Sequence, residues 1–502
     1  MFGILSSKIV VNFNKLASSD CSKLFPILVL AFFVTFIPHI TYPYALHIDE
    51  WVHIAYINAL LDSGTVYHAD PFSGQGSGGI VALLESGYHI PLAIFQKFSG
   101  APWVDIARYA PSIIFIFTVL SVYVFAKKKG FGWESAFFTC SITTTVGILG
   151  PAFIVPVAMG LLFVPLLLFL LTNFKTKWTY LIICIFISFL IVLHATSAIL
   201  TAVLLLPFCL FNWKANPRRN LGVLTAIAFP FLLTLPWTSG LILSEWGSLF
   251  TPKPLPAYHS FLTIIPEYGL LPVILCLMGA FILIMRGNWK NYSLVISLTG
   301  LLAMLAVFYT LHYGIDALYL RGLLFAMLMM GIVAGAGLRE LWKLEIPWIN
   351  GLRLRKPRIV QVVGILLCLS VISATLIIAV PSRQFTPYYH MIDKTDYETF
   401  IWINNNIDAG YQKAILDPWK ATAFTAITKK YVYARIHTSP QPIDIQTNDF
   451  IAGGCGDTSF LLENGVSVVY TRIKDIEFIP TNPDLLKIRD NVYLLNPEIS
   501  DE

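Results

Sequence analysis

The sequence has few charged residues for its length. Only 13% of its 502 residues are Asp, Glu, Lys or Arg, whereas 56% are hydrophobic and the mean hydropathy is +0.70. Soluble globular domains have about 25% charged residues, so the composition excludes a soluble protein and indicates an integral membrane protein. The net charge of +5 is small and the basic residues lie in short loops, so we expect no nucleic-acid partner.

Paired cysteines are also lacking. Seven cysteines are spread through the chain, and no two have CxxC spacing. This excludes a disulfide framework and a thiolate metal site. The glycine-rich stretch Gly453 to Asp457 lacks the spacing of a dinucleotide-binding loop or a P-loop, so we interpret it as a turn.

Long apolar runs are abundant. Their lengths of about 17 to 25 residues match what a helix needs to cross the hydrocarbon core. The eleven predicted spans are Leu24–Thr41, Trp103–Ala126, Trp133–Leu149, Ala152–Leu171, Trp178–Leu193, Ala195–Phe211, Leu221–Leu243, Tyr268–Met285, Tyr292–Leu311, Leu318–Trp342 and Ile359–Val380.

The basic residues predict the orientation of these spans. With the spans alternating, every basic loop falls on one side, which places the N-terminus in the cytoplasm and the C-terminus outside. The fold class is then an α-helical polytopic membrane domain, residues 1–380, followed by a small soluble α/β domain outside the membrane, residues 381–502. We expect a large first external loop, residues 45–102.

Two helices are predicted in this first loop. The first runs from Glu50 to Leu61 and the second, from Ile80 to Phe98, lies against or dips into the membrane surface. The alternative is that the second helix is a full span. That alternative would place the lysines at 127–129 outside, against the positive-inside rule.

Ionisable residues gather in the same loop. Asp49 and Glu50 follow the first span directly, and His53 lies four and three positions later on the same helical face. Such side chains could hold a divalent cation such as Mg, Mn or Zn, or could act as a general base and its partner. A structural explanation stays open, because carboxylates in a first turn complement the helix dipole. The further candidates in the loop, as metal ligands or acceptor-binding groups, are His68, Asp70, Glu85 and His89; Asp49, Asp70 and Glu85 are the candidate metal ligands.

A second candidate functional residue is Arg321, which lies near the outer end of the tenth predicted span. A guanidinium at that depth is costly unless it is paired, and a phosphate would match it in a bidentate manner. An ion pair with Asp316 or a snorkelling side chain are the alternatives. His194 lies in a tight external turn between two spans, where a structural role is the alternative.

These features together resemble the GT-C superfamily of membrane glycosyltransferases. The stretch Ile48 to His53 is similar to the acidic motif after the first span of that family, and Arg321 matches in placement the arginine that binds the lipid phosphate. Glu85 ahead of Pro91 is similar to the second loop helix of the mannose and arabinose transferases, which have a proline pair where this chain has one proline. The WWDYG motif of oligosaccharyltransferases is missing, so transfer of a single sugar or small glycan is favoured over transfer of a whole oligosaccharide to asparagine.

The resemblance implies an inverting enzyme that moves a sugar from a polyprenyl- or dolichyl-phosphate donor to a glycan, lipid or protein acceptor at the outer face of the bilayer. It implies that Asp49, with Glu50 second, is the catalytic base or a metal ligand, and that Arg321 and His194 bind the donor phosphate. Two other classes of function remain as alternatives: a transporter or flippase of a lipid-linked precursor, and a non-catalytic receptor or assembly subunit.

Overall fold

A computed structural model describes most of the chain. The described residues are 20–75, 85–145, 147–173, 176–211, 213–214, 216–247, 264–343, 357–384, 386, 388, 390–436 and 439–496. The glycine-rich residues 76–79, the first residues of the predicted second loop helix (80–84) and the proline-containing residues 248–263 lie outside them.

The chain forms two compact units. The membrane unit consists of Met1–Ile40 and Tyr109–Pro387, and the loop–tail unit consists of Thr41–Arg108 and Tyr388–Glu502. The first loop therefore groups with the C-terminal tail, whereas the sequence places it in the domain of residues 1–380.

The membrane unit is built from apolar helices. Seven helices are long and apolar enough to cross a membrane, and three shorter apolar helices accompany them among the described residues. The chain is thus an integral membrane protein, although the predicted count of eleven spans is not confirmed. The helices are α1 (Asp20–Phe36), α4 (Trp103–Lys127, which begins in the loop–tail unit), α5 (Gly132–Thr139), α6 (Pro156–Gly160), α7 (Phe163–Asn173), α8 (Lys177–Leu193), α9 (Ala195–Leu210), α10 (Pro217–Trp246), α11 (Ile264–Tyr268), α12 (Leu270–Met285), α13 (Trp289–Leu311), α14 (Asp316–Lys343) and α15 (Pro357–Gln384).

The predicted span Trp133–Leu149 is wrong as a continuous helix. Its helix, α5, has only eight residues, which rise about 12 Å against the roughly 30 Å of a hydrocarbon core. The residues that follow are rich in Ser and Thr, whose side chains compete for backbone hydrogen bonds and disfavour helix. Buried Arg383 donates hydrogen bonds of 2.9 and 2.8 Å to the carbonyls of Cys140 and Ile142, so the carbonyls at the end of α5 are satisfied without a continuing helix.

The loop–tail unit begins with two helices whose caps the sequence encodes. Helix α2 (Ile48–Ser63) starts at a capping box formed by His47 and Glu50 and ends at Gly64, which has a left-handed φ of 70°. Helix α3 (Ser86–Ser99) begins directly after Glu85 and ends at Gly100.

The tail is a small α/β domain, as predicted. Five strands form a mixed sheet in the order β2–β1–β3–β7–β6, in which β1 pairs in parallel with β2 and β3, and β7 pairs antiparallel with β3 and β6. A separate hairpin joins β4 and β5. The elements are α16 (Lys394–Asn406), β1 (Lys413–Ile415), α17 (Ala421–Thr428), β2 (Tyr431–Val432), α18 (Pro442–Ala452), α19 (Thr458–Glu463), β3 (Val468–Tyr470), β4 (Arg472–Ile473), β5 (Ile476–Glu477), β6 (Leu485–Arg489) and β7 (Val492–Leu495).

The first loop is held on this tail by backbone and side-chain contacts. The backbone N–H of Val432 in β2 donates to the carbonyl of Phe72 over 2.9 Å, and the Asn58 amide of α2 donates to the carbonyl of Ala426 in α17 over 2.7 Å. Gly74 lies so close to the Tyr431 ring that a Cβ there would come within 2.5 Å of it. The loop with most of the candidate residues is therefore positioned by the tail domain.

Candidate functional site

Three potential metal ligands converge in the loop–tail unit. His53 on α2, Glu85 at the start of α3 and His89 one turn into α3 each offer a ligand atom, and these atoms all lie within 4.8 Å of one another. The Nδ1 of His53 is 3.1 Å from the Nε2 of His89 and 3.7 Å from Oε2 of Glu85. Two imidazoles and a carboxylate are a donor set suited to zinc and to other divalent first-row metals.

Burial keeps His89 in the form that binds metals. His89 is only 4% exposed, and burial, assisted by the positive charge that His68 can take up, lowers the pKa of His89 to about 3. An imidazole with this pKa is neutral at pH 7, with a lone pair available for a cation.

Aromatic side chains enclose the two histidines. The Tyr56 ring stacks on His89 with 5.8 Å between centroids and an interplanar angle of 9°, and Tyr88, which is fully buried, meets His53 edge to face at 5.1 Å. Burial raises the pKa of both phenols, and nearby carboxylates, chiefly Asp70 for Tyr56 and Glu50 for Tyr88, raise it further. Both phenols therefore stay protonated at neutral pH.

Arg435, from the tail, contacts the aromatic side chains of this site. The Arg435 guanidinium lies 3.8 Å from the centroid of the Phe72 ring and interacts with Asp70 and with the Tyr56 hydroxyl. Asp70 itself accepts hydrogen bonds from the backbone N–H of Phe72 and from the Ser73 hydroxyl. Asp70 is thus linked to Arg435 and the loop backbone, and it is not one of the three grouped ligands.

The two adjacent carboxylates of α2 have different environments. Glu50 is fully buried, and its Oε2 accepts hydrogen bonds from the backbone N–H groups of Leu46 and His47. Asp49 is partly exposed, with 31% of its side chain accessible, and its Oδ2 lies 3.8 Å from the His47 Nδ1. Glu50 therefore takes part in the capping box of α2, and Asp49 is the more accessible of the two carboxylates.

His68 is placed beside the cluster, although it is not grouped with the three ligands. Its Nδ1 lies 2.8 Å from the carbonyl of Ala69, and its ring is 5.7 Å from that of Tyr56. Since Tyr56 also stacks on His89, His68 borders the cluster through this ring.

The remaining candidates, Arg321 and His194, belong to the membrane unit. The Nη1 of Arg321 donates to the carbonyl of Gly147 over 3.0 Å, and Arg321 interacts electrostatically with His194. His194 separates α8 from α9 and caps α9, with its Nδ1 accepting from the backbone N–H of Ser197 over 3.2 Å. The cap supports a structural role for His194. The electrostatic interaction of His194 with Arg321 is also consistent with the predicted pairing of the two residues.

Tyr56, Tyr88 and Arg435 were missed by the sequence analysis. The two tyrosines lie at ordinary positions of apolar helices, and Arg435 is far from the first loop along the chain. A local pattern contains no signal for contacts of this kind, which arise only when the loop packs on the tail.

Comparison with solved structures relates this architecture to known membrane enzymes. The Archaeoglobus fulgidus oligosaccharyltransferase in its apo form has a TM-score of 0.59 and 11% identity over 89% of this chain and 69% of its own. The mycobacterial arabinofuranosyltransferase AftD has a TM-score of 0.57 and 13% identity over 94% of this chain and 39% of its own. ArnT from Cupriavidus metallidurans, bound to undecaprenyl phosphate, has a TM-score of 0.54 and 12% identity over 94% of this chain and 97% of its own.

The chain has the GT-C fold. The archaeal enzyme has also been solved with Zn and sulfate and, under the name AglB, with an inhibitory peptide and a dolichol-phosphate. No protein-family model and no curated protein sequence matches this chain. At identities of 11–13%, the likeness concerns the fold, and the function has to be argued from the residues themselves.

Proposed function

We propose that the protein is a glycosyltransferase that transfers one sugar from a polyprenyl-phosphate-linked donor to an acceptor hydroxyl. The observation that carries the proposal is the convergence of His53, Glu85 and His89 on the loop of a GT-C chain, with the partly exposed Asp49 on the same helix as His53. Solved GT-C proteins bind dolichol-phosphate and undecaprenyl phosphate, which supports a donor of this chemistry.

The three grouped residues fit a divalent cation. His53, Glu85 and His89 would hold it, with zinc or manganese best matched by the mixed nitrogen and oxygen donors and magnesium less so. When bound, such an ion supplies positive charge that stabilises a phosphate leaving group. The Zn complex of the archaeal neighbour is consistent with this assignment.

Asp49 is the proposed catalytic base. Its carboxylate would accept the proton of the acceptor hydroxyl while the acceptor oxygen forms a bond to the anomeric carbon. The bond from that carbon to the phosphate oxygen breaks at the same time, and the lipid phosphate leaves with the electron pair. Direct displacement of this kind inverts the anomeric configuration. Glu50 has no part in this step because its carboxylate is committed to the cap of α2.

Arg321 is the proposed ligand of the donor phosphate. Its guanidinium donates a hydrogen bond to the carbonyl of Gly147, and a guanidinium matches phosphate oxygens in a bidentate manner. His194 would contribute mainly by shaping the turn beside Arg321. The basic loops support an N-terminus in the cytoplasm and a reaction at the outer face.

The test uses the full chain in proteoliposomes with hexose and pentose donors linked to polyprenyl phosphate. Asp49→Asn should reduce transfer about 10²- to 10⁴-fold, and Arg321→Ala about 10²- to 10³-fold. Asp408→Asn and Arg218→Ala, which change the same residue types at exposed positions, are the matched controls. Wild-type transfer by both Asp49→Asn and Arg321→Ala would refute the proposal.

A further inference from the structure

A cavity of about 500 Å³ lies in the loop–tail unit, away from the proposed metal ligands. On α2 it is lined by Trp51, Asn58 and Asp62, whereas His53 is two residues from Trp51 and so points about 200° away around the helix. We call this space the α2–α17 cavity, since Ala426 and Ile427 of α17 form its opposite wall. Its size is within the ~300–1,000 Å³ typical of small-molecule sites.

Aromatic rings from three helices line the α2–α17 cavity: Trp51 of α2, Trp103 of α4 and Tyr397 of α16. The Trp103 indole is fixed by a hydrogen bond of 2.8 Å from its Nε1 to the Asn58 Oδ1, and the Asn58 amide in turn donates to the carbonyl of Ala426. The cavity wall is therefore preorganised by side chains that already hold one another.

The charges around the cavity argue against an anionic ligand. Its charged lining residues are Asp62, Lys97 and Lys429, and Asp62 forms an ion pair of 2.7 Å with Lys429. One exposed lysine, Lys97, remains, which is a weak attraction for a phosphate because exposed charges are screened. Flat aromatic faces combined with amide and carboxylate groups instead suit a sugar ring, which has an apolar C–H face and a rim of hydroxyls.

We propose that the α2–α17 cavity binds a neutral saccharide, namely the glycan acceptor of the proposed transferase. A second cavity of about 260 Å³ shares Asn58, Asp62 and Lys429 with the first and is also lined by His68 and Asp70. An acceptor of several sugars would occupy both cavities and extend toward the His89 side of α2. This inference rests on the proposed function and specifies the acceptor as a glycan.

The test measures saccharide binding in the absence of any lipid donor. The full chain is held in a detergent without a sugar headgroup and titrated with mannobiose, chitobiose, maltotriose and an arabinose disaccharide, with saturation-transfer NMR as the readout. Ile427→Trp fills the cavity, and Ile445→Trp, at an exposed site of α18, is the control for the same change. Binding of at least one probe that falls tenfold or more in Ile427→Trp and is unchanged in Ile445→Trp is the expected result.

A second variant guards against misfolding of Ile427→Trp. Gln96→Leu keeps the side-chain size at the cavity rim while removing its polar atoms, and it should weaken the same probe severalfold. No binding by any probe, or equal binding by wild type, Ile427→Trp and Gln96→Leu, would overturn the inference. So would binding only to phosphatidylglycerol vesicles that Ile427→Trp abolishes, since the site would then be one for a lipid headgroup.

The proposed function can fail separately from this inference. Asp49→Asn should bind the saccharide as well as the wild type does, because Asp49 does not line either cavity. Saccharide binding without any sugar transfer would count against the transferase alone. Sugar transfer with an unchanged KM for the acceptor in Ile427→Trp would count against the glycan site alone.

Discussion

The Nδ1 of His53 and the Nε2 of His89 lie 3.1 Å apart across the interface of α2 and α3. Two imidazole nitrogens bound to one tetrahedral ion at 2.0–2.1 Å would be separated by about 3.3 Å. The pair is therefore close to the spacing that a shared cation requires, with Glu85 at 3.7 Å from the same His53 nitrogen as a third donor.

His53→Ala and His89→Ala should each weaken zinc or manganese binding by about 100-fold or more, since removing a ligand costs at least as much as removing its supporting partner. Isothermal titration on the purified full chain measures this loss. His312→Asn is the control, because His312 has a left-handed φ of 61° that Asn tolerates. Wild-type affinity in both alanine variants would show that the cluster is not a metal site.

The buried His89 should make folding depend on pH. Its pKa is lowered from 6.5 to about 3 in the folded protein, so the unfolded chain binds more protons between these values and stability falls with falling pH. The melting temperature should therefore drop as the pH is lowered from about 6.5 toward 3. His89→Gln, which cannot be protonated, should reduce this drop when both proteins are compared by thermal unfolding over that range; identical pH profiles would contradict the prediction.

Arg435 should support the metal site from the tail. It interacts with the Tyr56 hydroxyl, and the Tyr56 ring stacks on His89, so Arg435→Gln should let the ring move and lower metal affinity about tenfold. The matched control is Arg489→Gln, which removes another guanidinium held over an aromatic ring, that of Trp402 at 5.0 Å. An equal effect of the two changes would mean that Arg435 has only a general structural role, and rescue by Arg435→Lys would favour charge over hydrogen-bond geometry.

Substitution of Glu50 should lower the stability of the protein, whereas substitution of Asp49 should lower its transferase activity. Glu50→Ala removes the acceptor of two backbone N–H groups and should destabilise the loop–tail unit by about 1–2 kcal/mol, seen as a lower melting temperature. Asp49→Asn should leave the melting temperature within error of the wild type and reduce transfer about 10²- to 10⁴-fold. The prediction fails if Glu50→Gln melts like the wild type and yet transfers no sugar.

Several secondary-structure elements of the tail domain can be predicted from the local sequence pattern. The pattern of Val492–Leu495 predicts a strand, which is observed with those bounds. The pattern from Tyr397 to Ile407 predicts a helix, which is observed as α16, displaced by a few residues. The turn predicted at Gly453–Asp457 is also confirmed, because Asp457 caps α19 and Gly454 has a φ of 85°. Strand β6 was not predicted, because apolar and polar residues do not alternate clearly at 485–489 and only Leu485 of the strand is buried.

The sequence by itself determined the class of the protein and the approximate place of the helix that contains Asp49 and Glu50. Composition and apolar run length determined a membrane protein with an α/β tail, because hydrophobicity and helix length are properties of local sequence. The helix predicted from Glu50 to Leu61 is observed as α2 (Ile48–Ser63), which is two residues longer at each end.

Only the tertiary structure decided which of these residues work together. It assigned Glu50 to the helix cap, grouped His53 with Glu85 and His89, and brought Arg435 of the tail to Tyr56 of the loop. These relations depend on distances between segments far apart in the chain, which form through packing of the loop on the tail and leave no periodic pattern in the sequence.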